Sequence, residues 1–217
     1  MLISHKYKFL TIDIPKTGTK TIRQTLVGSF DFAGKGKNQH ISIKKCKKFF
    51  IDNGFSFEDY FKFCIVRNPW ERYASYCSYI FDINRLCKNA VVDGSIEEFP
   101  QIKIKQCKSY DNLLNEAGND KKKLMGIILE RMPTQYDLIS NEDGLVKMDM
   151  IATTENLNKD IKIFCEKVGI KEKLKISHAN KSSRSESIKN YYTQELIDMV
   201  AEKEKWVIDE FGYNFPE

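Results

Sequence analysis

The chain has 217 residues, 41% hydrophobic and 12% aromatic with five prolines, a composition that excludes a disordered, collagen-like or fibrous protein. At this length one domain hides roughly 70% of its unfolded surface and folds without disulfides or metal. Thirty-five Lys and Arg against thirty Asp and Glu leave a net charge of +5, which favours anionic partners without requiring nucleic acid.

The six cysteines (46, 64, 77, 87, 107 and 165) form no Cys-x-x-Cys pair and show no metal-ligand spacing with the three histidines. No metal is therefore expected, and the thiols read as reduced and packed. Near the start His5, Lys6, Lys8 and Asp13 interrupt any apolar stretch, and nowhere do about 18 apolar residues run together. The expectation is a soluble, cytoplasmic protein with no integral membrane segment.

Along the chain, Tyr7 to Ile14 is rich in aromatic and β-branched residues and stops at Pro15, which predicts a first core strand. Ile22, Leu26 and Val27 recur at helical spacing, so a helix is expected from Thr19 to Phe30. Asp31 to Gln39 has the composition of a loop, and Ile43, Cys46 and Phe50 predict a short helix ending near Gly54. Its lysines 44, 45, 47 and 48 read as a solvated face. Phe61 to Val66 predicts a second buried strand; Asn68, Pro69 and Glu71 then mark the start of a helix expected to reach about Phe81. Residues 84–119 are charged, carry no clear period, and read as an insertion near an acceptor site. Leu157, Ile161, Phe164, Cys165 and Val168 predict an amphipathic helix closed by Gly169. A last helix is expected from Thr193 to Gly212. Two strand–turn–helix units in succession point to an α/β fold, a P-loop-like, open, mainly parallel sheet flanked by helices in a single domain spanning 1–217.

Two clusters carry chemistry. Pro15-Lys-Thr-Gly-Thr-Lys-Thr21 lies between a strand and a helix start, where backbone N–H groups lack acceptors and the helix dipole favours an anion. Gly18 permits close approach of an oxyanion, Lys16 supplies full charge, and the hydroxyls of Thr17, Thr19 and Thr21 are potential donors. A Walker A loop is not present, because Asp13 stands where its first glycine belongs and Thr19 where its lysine belongs. The second cluster, Arg67-Asn-Pro-Trp-Glu-Arg-Tyr-Ala-Ser75, puts Arg67 at the end of a strand and Ser75 two turns into the next helix. Both would face the carboxyl edge of the sheet, where open α/β folds bind ligands, and the arginine fork suits phosphate.

In these two clusters the chain resembles the PAPS-dependent sulfotransferases, within them the carbohydrate sulfotransferases of the family 2 type. Lys16 to Thr21 is similar to the family's loop for the 5′-phosphosulfate, and Phe63 to Ser75 to its 3′-phosphate motif, with Arg67 and Ser75 eight apart. Glu155-Asn-Leu157, Asn180-Lys-Ser-Ser-Arg184, Tyr191 to Thr193 and Phe211 to Phe215 resemble further family elements, so the likeness covers about Lys8 to Phe215. The resemblance implies PAPS as co-substrate, a carbohydrate or other hydroxyl acceptor, and nucleotide contacts by Lys16, Thr17, Gly18, Thr19, Lys20, Thr21, Arg67, Ser75, Lys181 and Arg184. It implies Lys16 as stabiliser of the leaving oxygen and His40 as general base, a role matched by an ordinary histidine pKa of about 6.5. His178 is the runner-up base, with Glu58 and Asp59 as carboxylate options, and His5 reads as structural or exposed. Because the chain begins almost at its first strand, the membrane anchor usual in vertebrate members is not expected. The competing readings are a Mg-dependent phosphotransferase of P-loop type and a non-catalytic anion- or glycan-binding protein.

Overall fold

A computed structural model describes residues 1–35, 39–171 and 187–216, apart from the side chains of 101 and 102. These residues gather into two compact units. The first comprises 1–68, the described part of 133–183, and 206–213; the second comprises 69–132, the described part of 184–205, and 214–216.

The first unit holds the sheet. Its strands are β1 (Leu2–Ser4), β2 (Phe9–Ile12), β3 (Phe32–Ala33), β4 (Phe61–Val66) and β5 (Met150–Thr153), in the order β3-β1-β2-β4-β5. β2, β4 and β5 run parallel, with Ile12 opposite Cys64 and Val66 opposite Thr153. The expected parallel sheet thus forms the centre. β1 is antiparallel to both β2 and β3, extending one edge, and β3 occupies part of the 31–39 segment whose composition suggests only a loop. The α-helices are α1 (Thr19–Thr25), α2 (Ile43–Asp52), α3 (Pro69–Val92), α4 (Gln101–Glu116), α5 (Lys121–Arg131), α6 (Gln135–Ile139), α7 (Leu157–Val168), α8 (Gln194–Lys203) and α9 (Lys205–Phe211).

Alternation along the strands builds two cores, because successive side chains leave opposite faces of the pleat. Phe9, Phe63 and Ile65 pack with Ile22 and Leu26 around α1 and with Ile161, Phe164 and Cys165 of α7. Leu10, Ile12, Cys64 and Val66 pack on the other face with Ile43, Cys46 and Phe50 of α2, Leu138 and Ile139 of α6 and Val207 of α9. The α7 stripe closes at left-handed Gly169 as its spacing predicts. α1 is shorter than expected, because Leu26 caps it and Gly28, at φ 87°, turns the chain away before Phe30. The expected last helix is two helices, interrupted at Glu204.

The second unit is helical. α3 runs to Val92 instead of stopping near Phe81, and residues 84–119 supply its last turns and α4. The buried face of α4 and its C-terminal cap mix Cys107, Tyr110, Leu114 and Ala117 with polar and covalent ties, so the sequence shows no clear apolar period there. Asn84 donates to Asp111 at 3.0 Å, and Cys87 is disulfide-bonded to Cys107. That bond corrects the reading of all six cysteines as reduced thiols and removes the ground for expecting a reducing compartment. Cys46, Cys64, Cys77 and Cys165 are free and buried. Among the described residues no helix is long and apolar enough to cross a membrane.

One buried ion pair organises this unit. Arg72 Nη1 lies 2.7 Å from Glu204 Oε1 with both side chains removed from water, and the Tyr73 hydroxyl donates to the same oxygen at 3.0 Å. Removing one member leaves the other charged and buried. We therefore expect Arg72→Met to cost about 3–5 kcal/mol in denaturant unfolding, and the added Glu204→Leu change to recover most of that loss; a double variant as unstable as the single one would contradict the assignment.

Candidate active site

β2 ends at Ile12, and the chain then turns through Asp13 to Gly18 into α1. Two left-handed residues, Lys16 at φ 68° and Gly18 at φ 88°, make the turn. Its inside is closed by the Thr17 and Thr19 hydroxyls, which both donate to the Ile14 carbonyl at 2.9 and 3.0 Å. Each hydroxyl has one proton to donate, so in this conformation those two threonines brace the loop. The loop's cationic group is the Lys16 ammonium, and Gly18 provides no side-chain cap to the backbone N–H groups at the start of α1, the place where a helix favours an anion. Thr21 is buried on α1 and Lys20 is exposed on it.

The loop is rooted on Asp13, which is 3% exposed. Its carboxylate accepts from Arg23 Nε at 3.0 Å and Nη2 at 2.6 Å, from the Thr11 hydroxyl at 2.9 Å, and faces the Met1 ammonium at 2.5 Å. Its main-chain carbonyl lies 2.7 Å from His40 Nδ1. A carbonyl can only accept, so Nδ1 carries a proton, and in the neutral ring Nε2 is left with a free lone pair. The residue as a whole is exposed, yet the packing around its ring lowers the pKa below the ordinary histidine value. Partial loss of water is the largest cause; the Met1 ammonium and Arg23 act the same way, against the Asp13 carbonyl and carboxylate. At neutral pH His40 is thus a neutral base with Nε2 as the basic atom.

Arg67 follows β4, the parallel neighbour of β2. Its Nη1 donates to the Lys16 carbonyl at 3.3 Å, so the two cationic residues singled out in the sequence meet at the carboxyl ends of adjacent parallel strands. Gln135, fully buried at the start of α6, accepts from Arg67 N at 3.0 Å and donates to Arg67 O at 2.9 Å. Glu155 lies beside them: it accepts from the Asn68 N–H at 3.5 Å and from the Tyr213 hydroxyl at 3.0 Å. Burial foremost, then the Glu155 charge, raises the Tyr213 pKa, so its hydroxyl stays a donor; Arg67 opposes that rise. Asp13 with Arg23, and Gln135, stand at the candidate site without being disclosed by motif spacing, whereas Tyr213 lies in the family-like element from Phe211 to Phe215. An aspartate closing an apolar strand, ten residues before an arginine, was the available signal for the first pair; nothing marks Gln135.

Ser75 is half-buried on α3, in the second unit. Within the Arg67–Ser75 string, Trp70 Nε1 donates to the Ile197 carbonyl at 3.1 Å and Arg72 and Tyr73 meet Glu204, so these three hold the helical unit together. Glu58 and Asp59 precede β4, at the opposite end of that strand from Arg67, where Glu58 is exposed and pairs with Lys62 at 3.7 Å. His5 Nδ1 lies 2.6 Å from the Tyr60 hydroxyl and its ring packs on Phe55. His178, Lys181 and Arg184 lie outside the described residues. Among the described residues no group of three or more His, Cys, Asp or Glu could hold a metal ion.

A family model described as "Sulfotransferase family" matches residues 1–210 of the chain. No curated protein and no solved structure matches it.

The loop's shape depends on Gly18, where an added Cβ would both sit in the left-handed region and come 3.2 Å from Leu157 Cδ2. Gly18→Ala is expected to destabilise the protein by about 1–2 kcal/mol in chemical denaturation. Unchanged stability would mean that the loop relaxes at no cost.

Proposed function

The chain belongs to the sulfotransferase family, and we propose that it transfers the sulfuryl group of PAPS to a hydroxyl of a carbohydrate acceptor. The observation that carries this reading is the convergence of Arg67 on the Lys16 loop, at the carboxyl ends of two adjacent parallel strands. A nucleotide with anions at two separated places asks for two cationic sites, and these residues are suited to them. The strand-to-helix loop from Pro15 to Thr21 offers Lys16 and backbone donors to the 5′-phosphosulfate. The arginine fork suits the 3′-phosphate, with Ser75, Lys181 and Arg184 read as further nucleotide contacts.

PAPS supplies an activated sulfuryl group on a phosphate leaving group. Toward it, the Lys16 ammonium stabilises the negative charge that develops on the departing oxygen. The ordered loop, braced by Thr17 and Thr19, holds that charge in place before reaction, so little reorganisation is needed. His40 Nε2 takes the proton of the acceptor hydroxyl, while its Nδ1–H remains on the Asp13 carbonyl and fixes the ring. That bond lets the ring become doubly protonated during the reaction without changing orientation.

The lowered pKa of His40 sets the pH dependence. A base must be unprotonated, so kcat/KM stays on its plateau through neutral pH and falls only as pH drops below the ordinary histidine value of about 6.5. With PAPS as donor and a panel of oligosaccharides as acceptors, His40→Ala is expected to lose about 100-fold or more in kcat, to lose that acid limb, and to retain affinity for PAP, the desulfated product. Full activity with the same acid limb in the variant would remove His40 from the reaction.

A further inference from the structure

The backbone of Arg67 stands where the sheet has just ended. β4 stops at Val66 and β5 at Thr153, and the last link across that edge is made by Thr154, whose N–H and hydroxyl both donate to the Val66 carbonyl at 2.9 and 3.0 Å. One residue further on there is no neighbouring strand to take the Arg67 N–H and carbonyl. Both are taken by one side chain, the Gln135 carboxamide, at 3.0 and 2.9 Å. Pairing with one N–H and one C=O fixes which end of the amide is oxygen and which nitrogen. Among side chains of this length, a carboxamide offers a donor and an acceptor together at every pH, which a carboxyl group does only while protonated.

Gln135 is itself held rigidly. It is fully buried, and it is the first residue of α6, entered through a reciprocal cap in which the Thr134 hydroxyl accepts from Asp137 N and the Asp137 carboxylate accepts from Thr134 N, each at 2.9 Å. The position of α6 is thereby transmitted to the main chain of Arg67, and through it to the direction in which the arginine side chain leaves. At its other end the guanidinium rests on the Lys16 carbonyl, the peptide unit that follows the loop's left-handed lysine.

We propose that Gln135 is a positioning residue for nucleotide recognition. By acting as a one-residue substitute for a neighbouring strand, it aims Arg67 at the 3′-phosphate and braces the Lys16 turn through it. The proposal rests on the reading of Arg67 as a phosphate ligand given above. A Gln135 that only stabilised the fold would leave the preference between nucleotides untouched, so that preference is the property to measure.

The experiment is calorimetric binding of PAP and of adenosine 5′-phosphate to the wild type, to Gln135→Met and to Gln135→Glu, with melting temperatures alongside. The methionine keeps the length and removes both hydrogen bonds, while the glutamate keeps only the acceptor when it is ionised, so its binding is measured at a pH high enough to ionise it. The wild type is expected to prefer PAP. In Gln135→Met that preference is expected to fall by about tenfold, the equivalent of roughly one hydrogen bond to a charged group, with affinity for adenosine 5′-phosphate unchanged; Gln135→Glu is expected to lose preference as well. An unchanged preference in folded Gln135→Met, or in folded Gln135→Glu once ionised, overturns the proposal whatever the melting temperature, and so does failure of both variants to fold, which assigns Gln135 to stability alone. If the wild type itself fails to prefer PAP, the phosphate role of Arg67 falls and the present inference falls with it, a pattern distinct from a loss confined to the variants.

Discussion

The site depends on the buried carboxylate of Asp13. A carboxylate so far from water is tolerable only when its charge and lone pairs are met, and here Arg23, the Thr11 hydroxyl and the Met1 ammonium meet them. Arg23 extends further, donating to the Gly34 carbonyl at 3.0 Å, so the ion pair also fastens the main chain just after β3. The main chain of the same aspartate orients His40, and the next residue, Ile14, supplies the carbonyl on which the loop closes. The proposed base and the proposed anion loop are therefore both hung from two consecutive residues just after β2. A change at Asp13 would disturb them together.

A second economy appears in the string from Arg67 to Ser75. Its first residue belongs to the sheet unit and to the site, whereas Trp70, Arg72 and Tyr73 make the internal bonds of the helical unit. On the proposed reading, nine consecutive residues serve ligand recognition and helix packing in turn. Arg72 illustrates how position decides the role of a cation: fully buried against Glu204 it is a structural group, while Arg67 is half-buried at a strand end, where we propose that it meets the ligand.

Much of this could be read from the sequence, where local pattern and tertiary environment agree. β4 and α7 lie where their residues predict, because Phe61 to Val66 is apolar on both faces and the α7 stripe keeps one period up to a glycine. The candidate loop and Arg67 are picked out by residue type and place in a strand–turn–helix unit, and His40 by the family resemblance; the structure adds that Arg67 meets the loop and that His40 rests on Asp13. What was hidden depends on partners far away in sequence. β1 and β3 are too short to show alternation, and α3 runs past Phe81 because Asn84 and Cys87 find Asp111 and Cys107 on α4. Gln135 acquires its meaning only from a residue 68 positions earlier. The break between α8 and α9 falls at Glu204, whose carboxylate is drawn to Arg72, 132 positions before it.

The central claim is that the loop after β2 and the arginine after β4 recognise the two phosphates of one nucleotide. The most direct test is thermal stabilisation of the wild-type protein by PAP, without metal, beside ATP with magnesium. At a hundred times its dissociation constant a ligand adds about 2.7 kcal/mol of stability, so PAP is expected to raise the melting temperature clearly and to do so without magnesium. A magnesium-dependent response to ATP with none to PAP would contradict the account and favour phosphoryl transfer, and no response to either would leave a protein that binds anions by other means.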